Sequence, residues 1–205
     1  MDTRIKLCGL FRTQDIDYAN ELLPDYVGFV LNFPKSHRSI DSGRAAQLKE
    51  RLSPKIQAVG VFVDEQVNVC AALANRGILD LIQLHGKETS EYIRKLRTLT
   101  DAPIIKAVKV ISARDIEQAQ ALGADYLLLD GGTGSGTAFD HSLMKNRNIR
   151  QPFFLAGGLT ADNVGAAIQA CSPFAVDVSS ALETNGCKDR NKMTAFVNAV
   201  RKDRL

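Results

Sequence analysis

The feature that most limits what this chain can become is a series of eight short apolar stretches, each followed by a helix-patterned segment or a glycine-rich turn. They read RIKLCG (4–9), DYVGFVL (25–31), IQAVGVFV (56–63), LDLIQLHG (79–86), PIIKAVKV (103–110), DYLLLD (125–130), PFFLAGG (152–158) and FAVDVSS (174–180). Most are continuously apolar rather than alternating, the pattern of strands covered on both faces of a parallel sheet. Their spacing of roughly two to three dozen residues leaves room for a right-handed crossover between parallel neighbours. Between them, SARD (112–115) has the form of a capping box, and Thr160 is placed to cap TADNVGAAIQAC (160–171). Met193, Phe196, Val197 and Val200 mark one face of a last helix. Gly77, Gly123 and Gly186 fall in connections, where positive φ is cheap.

Eight such units predict an α/β protein closed as a single (β/α)8 barrel over residues 1–205, at the small end of the ~200-residue lower range for that architecture. A doubly wound open sheet is the rival. Against it, the first turn, CGLFRTQD (8–15), lacks the G-x-G-x-x-G fingerprint. A barrel also gathers the polar residues that follow the strands on its C-terminal face, where Cys8 falls.

Composition narrows the function classes. With 205 residues, 45% of them hydrophobic, the chain can bury a sizeable core. A net charge of +3 without a basic block gives no reason to expect nucleic acid or an anionic membrane as partner. No apolar run approaches the ~20 residues of a membrane span. MDTRIK lacks a signal-peptide core, so a cytoplasmic location is expected. The four cysteines (8, 70, 171, 187) contain no C-x-x-C pair, and the three histidines (37, 85, 141) form no metal constellation. Cys70 and Cys171 fall on helical apolar stripes as small core residues, and Cys187 in NGCKD reads as a loop residue. Cys8 alone occupies a strand tip.

Three glycine- or serine-rich loops follow consecutive strands: GGTGSGTAFD (131–140), LAGGLTADN (155–163) and DVSSALETNG (177–186). The last two are neighbours in a barrel, a recurrent phosphate site. Gly157 and Gly158 let backbone approach an anion, and Ser179 and Ser180 add hydroxyls. Tight turns alone would explain any one of these loops, but three in succession favour a phosphate.

In this order, KLCG, DYVGFVLNFPKSHRSI, VGVFV, IQLHG, LLLD, GSGTAFD, LAGGLTADNV and FAVDVSS closely resemble the phosphoribosylanthranilate isomerase family of tryptophan biosynthesis, from Lys6 to about Asp189. The resemblance implies a barrel of the ribulose-phosphate-binding type. It also implies an Amadori rearrangement of an aminoaldose phosphate to an aminoketose, with no metal or organic cofactor. The partner implied is a small-molecule phosphosugar, with no nucleic acid and no membrane, the protein being a monomer or homodimer. By the same resemblance Cys8 is the general base and Asp130 the general acid. Arg38 is then associated with the anthranilate end, and Gly134, Gly136, Gly157, Gly158, Ser179 and Ser180 with the phosphate. The chain departs from many relatives in a short connection after Asp130, in His141 for tryptophan, and in Ala181 for a phosphate-loop glycine.

The chemistry asks for these residue types. Opening the ribose ring needs an acid that starts protonated, whereas a free Asp, with pKa ~3.9, is ionised at neutral pH. The apolar run Leu127–Leu129 and a nearby phosphate would both favour the protonated carboxyl. Removing the proton beside the iminium suits a thiolate, yet a free thiol is only about 3% ionised at pH 7. Lys6, two residues before Cys8, shares its face. It either lowers the thiol pKa or pairs with Asp177, and pairing is the favoured role, leaving Asp177 to position the base from behind. His85 is either a second base or a satisfied wall residue that touches substrate. Arg38 is either an anthranilate ligand or a solvated charge, with Lys35 and His37 adding to the cationic entrance. Taken alone, Cys8 reads first as a small buried hydrophobe; Asp130 and the phosphate loops reverse that reading in favour of catalysis. The rivals are another phosphosugar barrel enzyme, such as an indole-forming synthase or a metal-dependent epimerase, and a barrel that only binds.

Overall fold

The computed structural model describes residues 2–131 and 149–202. Eight parallel strands form the frame: β1 Arg4–Cys8, β2 Tyr26–Leu31, β3 Gln57–Phe62, β4 Leu81–Leu84, β5 Ile104–Lys109, β6 Tyr126–Asp130, β7 Phe153–Ala156 and β8 Ala175–Val178. Each pairs with the next, and β8 returns to pair with β1, so the sheet closes into a barrel. Closure leaves no open edge among these strands. Every predicted strand is present, trimmed by a residue or two. The trimmed ends matter, because His85, Gly157 and Ser179 lie just beyond the ladders and are released to face the mouth.

Helices α1 (Thr13–Leu22), α2 (Ser42–Arg51), α3 (Val67–Asn75), α4 (Ser90–Arg97), α5 (Ala113–Gln120), α6 (Val164–Cys171) and α7 (Arg190–Lys202) pack outside. The Asp115 carboxylate accepts from the Ile111 and Ser112 backbone N–H groups, starting α5 as the SARD motif predicts. At α6 the structure corrects the expectation: Asn163, not Thr160, adjoins the first helical residue. Residues 160–163 form a turn in which Asn163 Oδ1 accepts from Thr160 N and Nδ2 donates to the Gly158 carbonyl. The asparagine competes locally for backbone groups and delays the helix. Gly77, Gly123 and Gly186 all have positive φ.

Strand alternation divides the core in two. Ile5, Leu7, Val27, Phe29, Leu127, Leu129 and Val176 point outward beneath the helices. Tyr26, Val59, Leu81, Ile105, Leu128, Phe154 and Ala175 fill the lower barrel interior. The floor is aromatic: Phe154 packs on Tyr26 and Phe174, with centroids 5.4 and 5.7 Å apart, and Tyr126 on Phe174 at 5.2 Å. Arg4 caps this cluster, 4.6 Å above the Phe174 ring, and donates to the Tyr26 hydroxyl at 2.7 Å. The upper interior is left to Cys8, Gln83, Asp130 and Asp177.

Cys70 is buried and Cys171 half-buried, and burial pushes each thiol up to about 11. Cys187 is not in a loop. It opens the second arm of a short antiparallel hairpin, Glu183–Thr184 with Cys187–Lys188. Asn185 and Gly186, with φ of 52° and 75°, make the turn. That is the Asn-Gly signature of a two-residue hairpin, present in the sequence and overlooked there.

Candidate active site

A cavity of about 740 Å³ opens at the C-terminal ends of the strands, lined by Cys8, Arg38, Gln83, His85, Asp130 and Asp177 among others. Cys8 ends β1 and is 8% exposed. Its partner across the ladder is Gly28 on β2. A Cβ on Gly28 would sit 2.6 Å from Cys8 Sγ, so the thiol occupies room that only a glycine leaves. The next residue, Gly9, has φ +76°, and a side chain there would collide with the stem of Arg38.

Directly below the thiol, Lys6 is fully buried, with Nζ 2.8 Å from Asp177 Oδ1. Burial works against the Lys6 charge, but Asp177 and Cys8 outweigh it and hold the ammonium above its ordinary pKa. Removing either partner of such a pair leaves an uncompensated buried charge, a loss of about 3–5 kcal/mol. Burial also dominates at Cys8, pushing the thiol up. Lys6 pulls it down and Asp177 pushes it up, so the lysine's charge is largely spent on its carboxylate partner. The surroundings of Cys8 therefore favour the neutral thiol over the thiolate.

Asp130 ends β6 and lines the same cavity. Of the three leucines before it, only Leu128 shares its face. Leu127 and Leu129 point outward, as the two-residue period of a strand requires, so the apolar setting expected from the sequence is thinner than it looks.

Gly157 and Gly158 line the cavity with φ of 94° and 68°, the left-handed region that favours glycine. Ser180 and Ala181 also line it, at the start of a 3₁₀ turn. Ser179 is already engaged: its hydroxyl donates to the Cys8 carbonyl at 3.0 Å, tying β8 to the end of β1. Gly134, Gly136 and His141 lie outside the described residues.

Arg38 reaches the mouth from the β2–α2 connection, but its guanidinium is not waiting for a ligand alone. Nε and Nη2 donate to the two Glu183 oxygens at 2.6 and 2.7 Å, a bidentate fork. Lys188, opposite Glu183 in the hairpin, donates to the same carboxylate at 2.6 Å and to the Ser179 carbonyl at 3.0 Å. His37 Nε2 lies 3.5 Å from Glu183, and Lys35 is exposed and does not line the cavity. The hairpin thus aims Arg38, and two of its residues, Glu183 and Lys188, were not picked out in the sequence. The Asn-Gly turn between them was the available signal.

Burial alone would raise the Glu183 carboxyl, but Arg38 and Lys188 outweigh it and hold it down to about 2. A depressed carboxylate stabilises the fold fully above its unfolded pKa and loses that contribution as pH falls through the folded value. Unfolding free energy should therefore fall more steeply between pH 4.5 and about 2 in the wild type than in Glu183→Gln. Parallel slopes in urea titrations would show that the fork adds nothing.

Known proteins bear on this arrangement. Residues 5–199 match the family model described as N-(5'-phosphoribosyl)anthranilate (PRA) isomerase. The chain is 42% identical over 206 residues to the N-(5'-phosphoribosyl)anthranilate isomerase of Clostridium acetobutylicum, covering 97% of this chain and 98% of that one. Its fold is similar, with TM-score 0.86 and 36% identity, to a phosphoribosyl anthranilate isomerase in complex with reduced 1-(o-carboxyphenylamino)-1-deoxyribulose 5-phosphate. That alignment covers 98% of this chain and 99% of the other. With TM-score 0.85, the same identity and the same coverage, it is also similar to monomers generated from the dimeric enzyme of Thermotoga maritima.

Proposed function

Because this chain belongs to the N-(5'-phosphoribosyl)anthranilate isomerase family of aldose–ketose isomerases, we propose that its barrel mouth performs the Amadori rearrangement with Asp130 as general acid and Cys8 as general base. The observation that carries the assignment is that both side chains, from β1 and β6, line one cavity. Asp130 gives its proton to the ribose ring oxygen as the C1–O bond breaks, leaving an iminium between C1 and the anthranilate nitrogen. Cys8, as thiolate, takes the proton from C2, and the electron pair moves to form the C1–C2 double bond of an enolamine. Loss of the C2 hydroxyl proton and gain of one at C1 complete the aminoketose, and exchange with water restores acid and base.

The phosphate rests against Gly157, Gly158 and Ser180, where positive-φ glycines bring backbone close to an anion. Ser179 contributes by fixing the Cys8 backbone, and Lys6 and Asp177 hold the thiol's footing from beneath. His85 touches the sugar. Arg38 receives the anthranilate carboxylate through Nη1, which makes no hydrogen bond to any described residue. Arg38→Ala should then raise KM by about tenfold to a hundredfold, the range for one hydrogen bond to a charged group, with kcat changing less. An unchanged KM would remove Arg38 from the site.

Residues 1–205 are proposed as one barrel domain working in the cytoplasm on a phosphosugar, alone or as a homodimer. No helix among the described residues is long and apolar enough to cross a membrane. The deciding experiment is rescue of a tryptophan-requiring strain that lacks only this isomerase, paired with an assay of the purified chain on phosphoribosylanthranilate. Failure of both despite soluble expression would favour a barrel that binds without reacting.

A further inference from the structure

We propose that Gln83 fixes His85 in the tautomer with its proton on Nε2, so that His85 presents a hydrogen-bond donor, not a base, to an uncharged oxygen of the sugar. The identity of that ligand rests on the phosphosugar reading above; the tautomer does not. Gln83 lies within β4 and His85 follows two residues later, so both side chains point into the barrel and line the cavity. The Gln83 amide nitrogen is 2.9 Å from His85 Nδ1. With the amide nitrogen turned to the ring, Nδ1 offers its lone pair, and the one proton of a neutral imidazole then sits on Nε2. Nε2 itself makes no hydrogen bond to any described residue.

Two further observations support this assignment. Enclosure among the strand ends, followed by the Lys6 charge, holds the imidazole below its ordinary pKa, so the ring stays neutral at pH 7. Gln83 is 1% exposed, and its Oε1 is buried without a partner among the described residues. A leucine or methionine would fill the space without stranding an acceptor, so a packing role alone does not account for an amide here.

The consequence is chemical. With Nδ1 engaged by Gln83 and Nε2 protonated, His85 has no lone pair to offer the substrate. It cannot share the proton abstraction with Cys8, although it stands at the same mouth. What it can do is donate to a hydroxyl oxygen, or to the oxygen that becomes the ketone, without adding a second cation beside Lys6.

Nitrogen-15 spectra of the ligand-free enzyme at neutral pH test the tautomer directly, with the His85 resonances assigned by their loss in His85→Gln. A pyridine-type Nδ1 and pyrrole-type Nε2 are expected; the reverse pattern, or averaging of the two, overturns the proposal. Gln83→Glu turns a carboxylate towards Nδ1 and should place a proton there, either moved from Nε2 or added to give an imidazolium. The same nitrogen spectra distinguish the two. Where Nε2 is left bare, kcat/KM should fall by about tenfold or more, the scale of one lost hydrogen bond. His85→Gln, which offers an amide N–H near the Nε2 position, should retain more activity than His85→Ala. A folded Gln83→Glu enzyme within twofold of wild type whose Nε2 has lost its proton, or His85→Gln no better than His85→Ala, would also overturn it. A wild-type enzyme inert towards phosphoribosylanthranilate would instead sink the isomerase reading and leave the tautomer standing. If Gln83→Glu fails to fold, the wild-type spectrum decides.

Discussion

Replacing Cys8 by serine should lower kcat by at least the ~10² expected when a general base is lost, while thermal unfolding stays close to wild type. Serine keeps the size that the notch at Gly28 accommodates, and its hydroxyl is far too weak an acid to supply an oxyanion near neutrality. Burial pushes the Cys8 thiol above its ordinary pKa, so the reactive thiolate is the minor form at pH 7 and grows as pH rises. The kcat/KM of the wild type should accordingly climb with pH across and beyond neutrality, and Cys8→Ser should lose that dependence along with its rate. Steady-state rates across a pH series check both points together. Near-normal turnover in the serine variant would show that another group removes the C2 proton.

Asp130→Asn should have an effect of similar size, at least ~10² in kcat, for the complementary reason. The amide keeps the shape of the carboxyl and can hydrogen-bond to the ring oxygen, but it cannot deliver a proton as the C–O bond breaks. The backbone at this position, where the Asp130 carbonyl accepts from Val110 N at 2.9 Å, is untouched by the change, so the fold should be preserved. Assay of the purified variant together with its unfolding curve separates lost chemistry from lost structure. A kcat within a few-fold of wild type would leave the ring-opening proton without its assigned source.

How much of this could be read from residues alone depends on the range of the interaction involved. The eight strands were legible because burial on both faces writes itself as a continuous apolar run, and their closure followed from number and spacing. Cys8, Asp130, Gly157 and Gly158 could be placed at the mouth because each follows or ends such a run. What escaped the sequence is pairing that runs through the loops beyond the strand ends. Nothing local to Arg38 announces Glu183, which lies 145 residues away, and nothing at Ser179 announces that its hydroxyl serves the Cys8 carbonyl. The Asn163 turn was missed because threonine and asparagine both cap helices, and only the competing bonds to Thr160 and Gly158 choose between them. The apolar setting of Asp130 was overstated by counting neighbours along the chain, whereas a strand sends alternate neighbours to opposite sides. Lys6 is the counter-case: its pairing with Asp177 was legible, because strand alternation puts both side chains inside the barrel and closure makes β8 the neighbour of β1.

The aromatic floor under the mouth has a consequence for traffic. With Tyr26, Phe154 and Phe174 packed across the bore and Arg4 laid over Phe174, the chamber is closed from below among the described residues and opens at the C-terminal strand ends. Product that leaves by that mouth must back out before another molecule can come in through it. A rise in its concentration therefore crowds the threshold and delays newcomers, while the pace of each completed visit is unchanged.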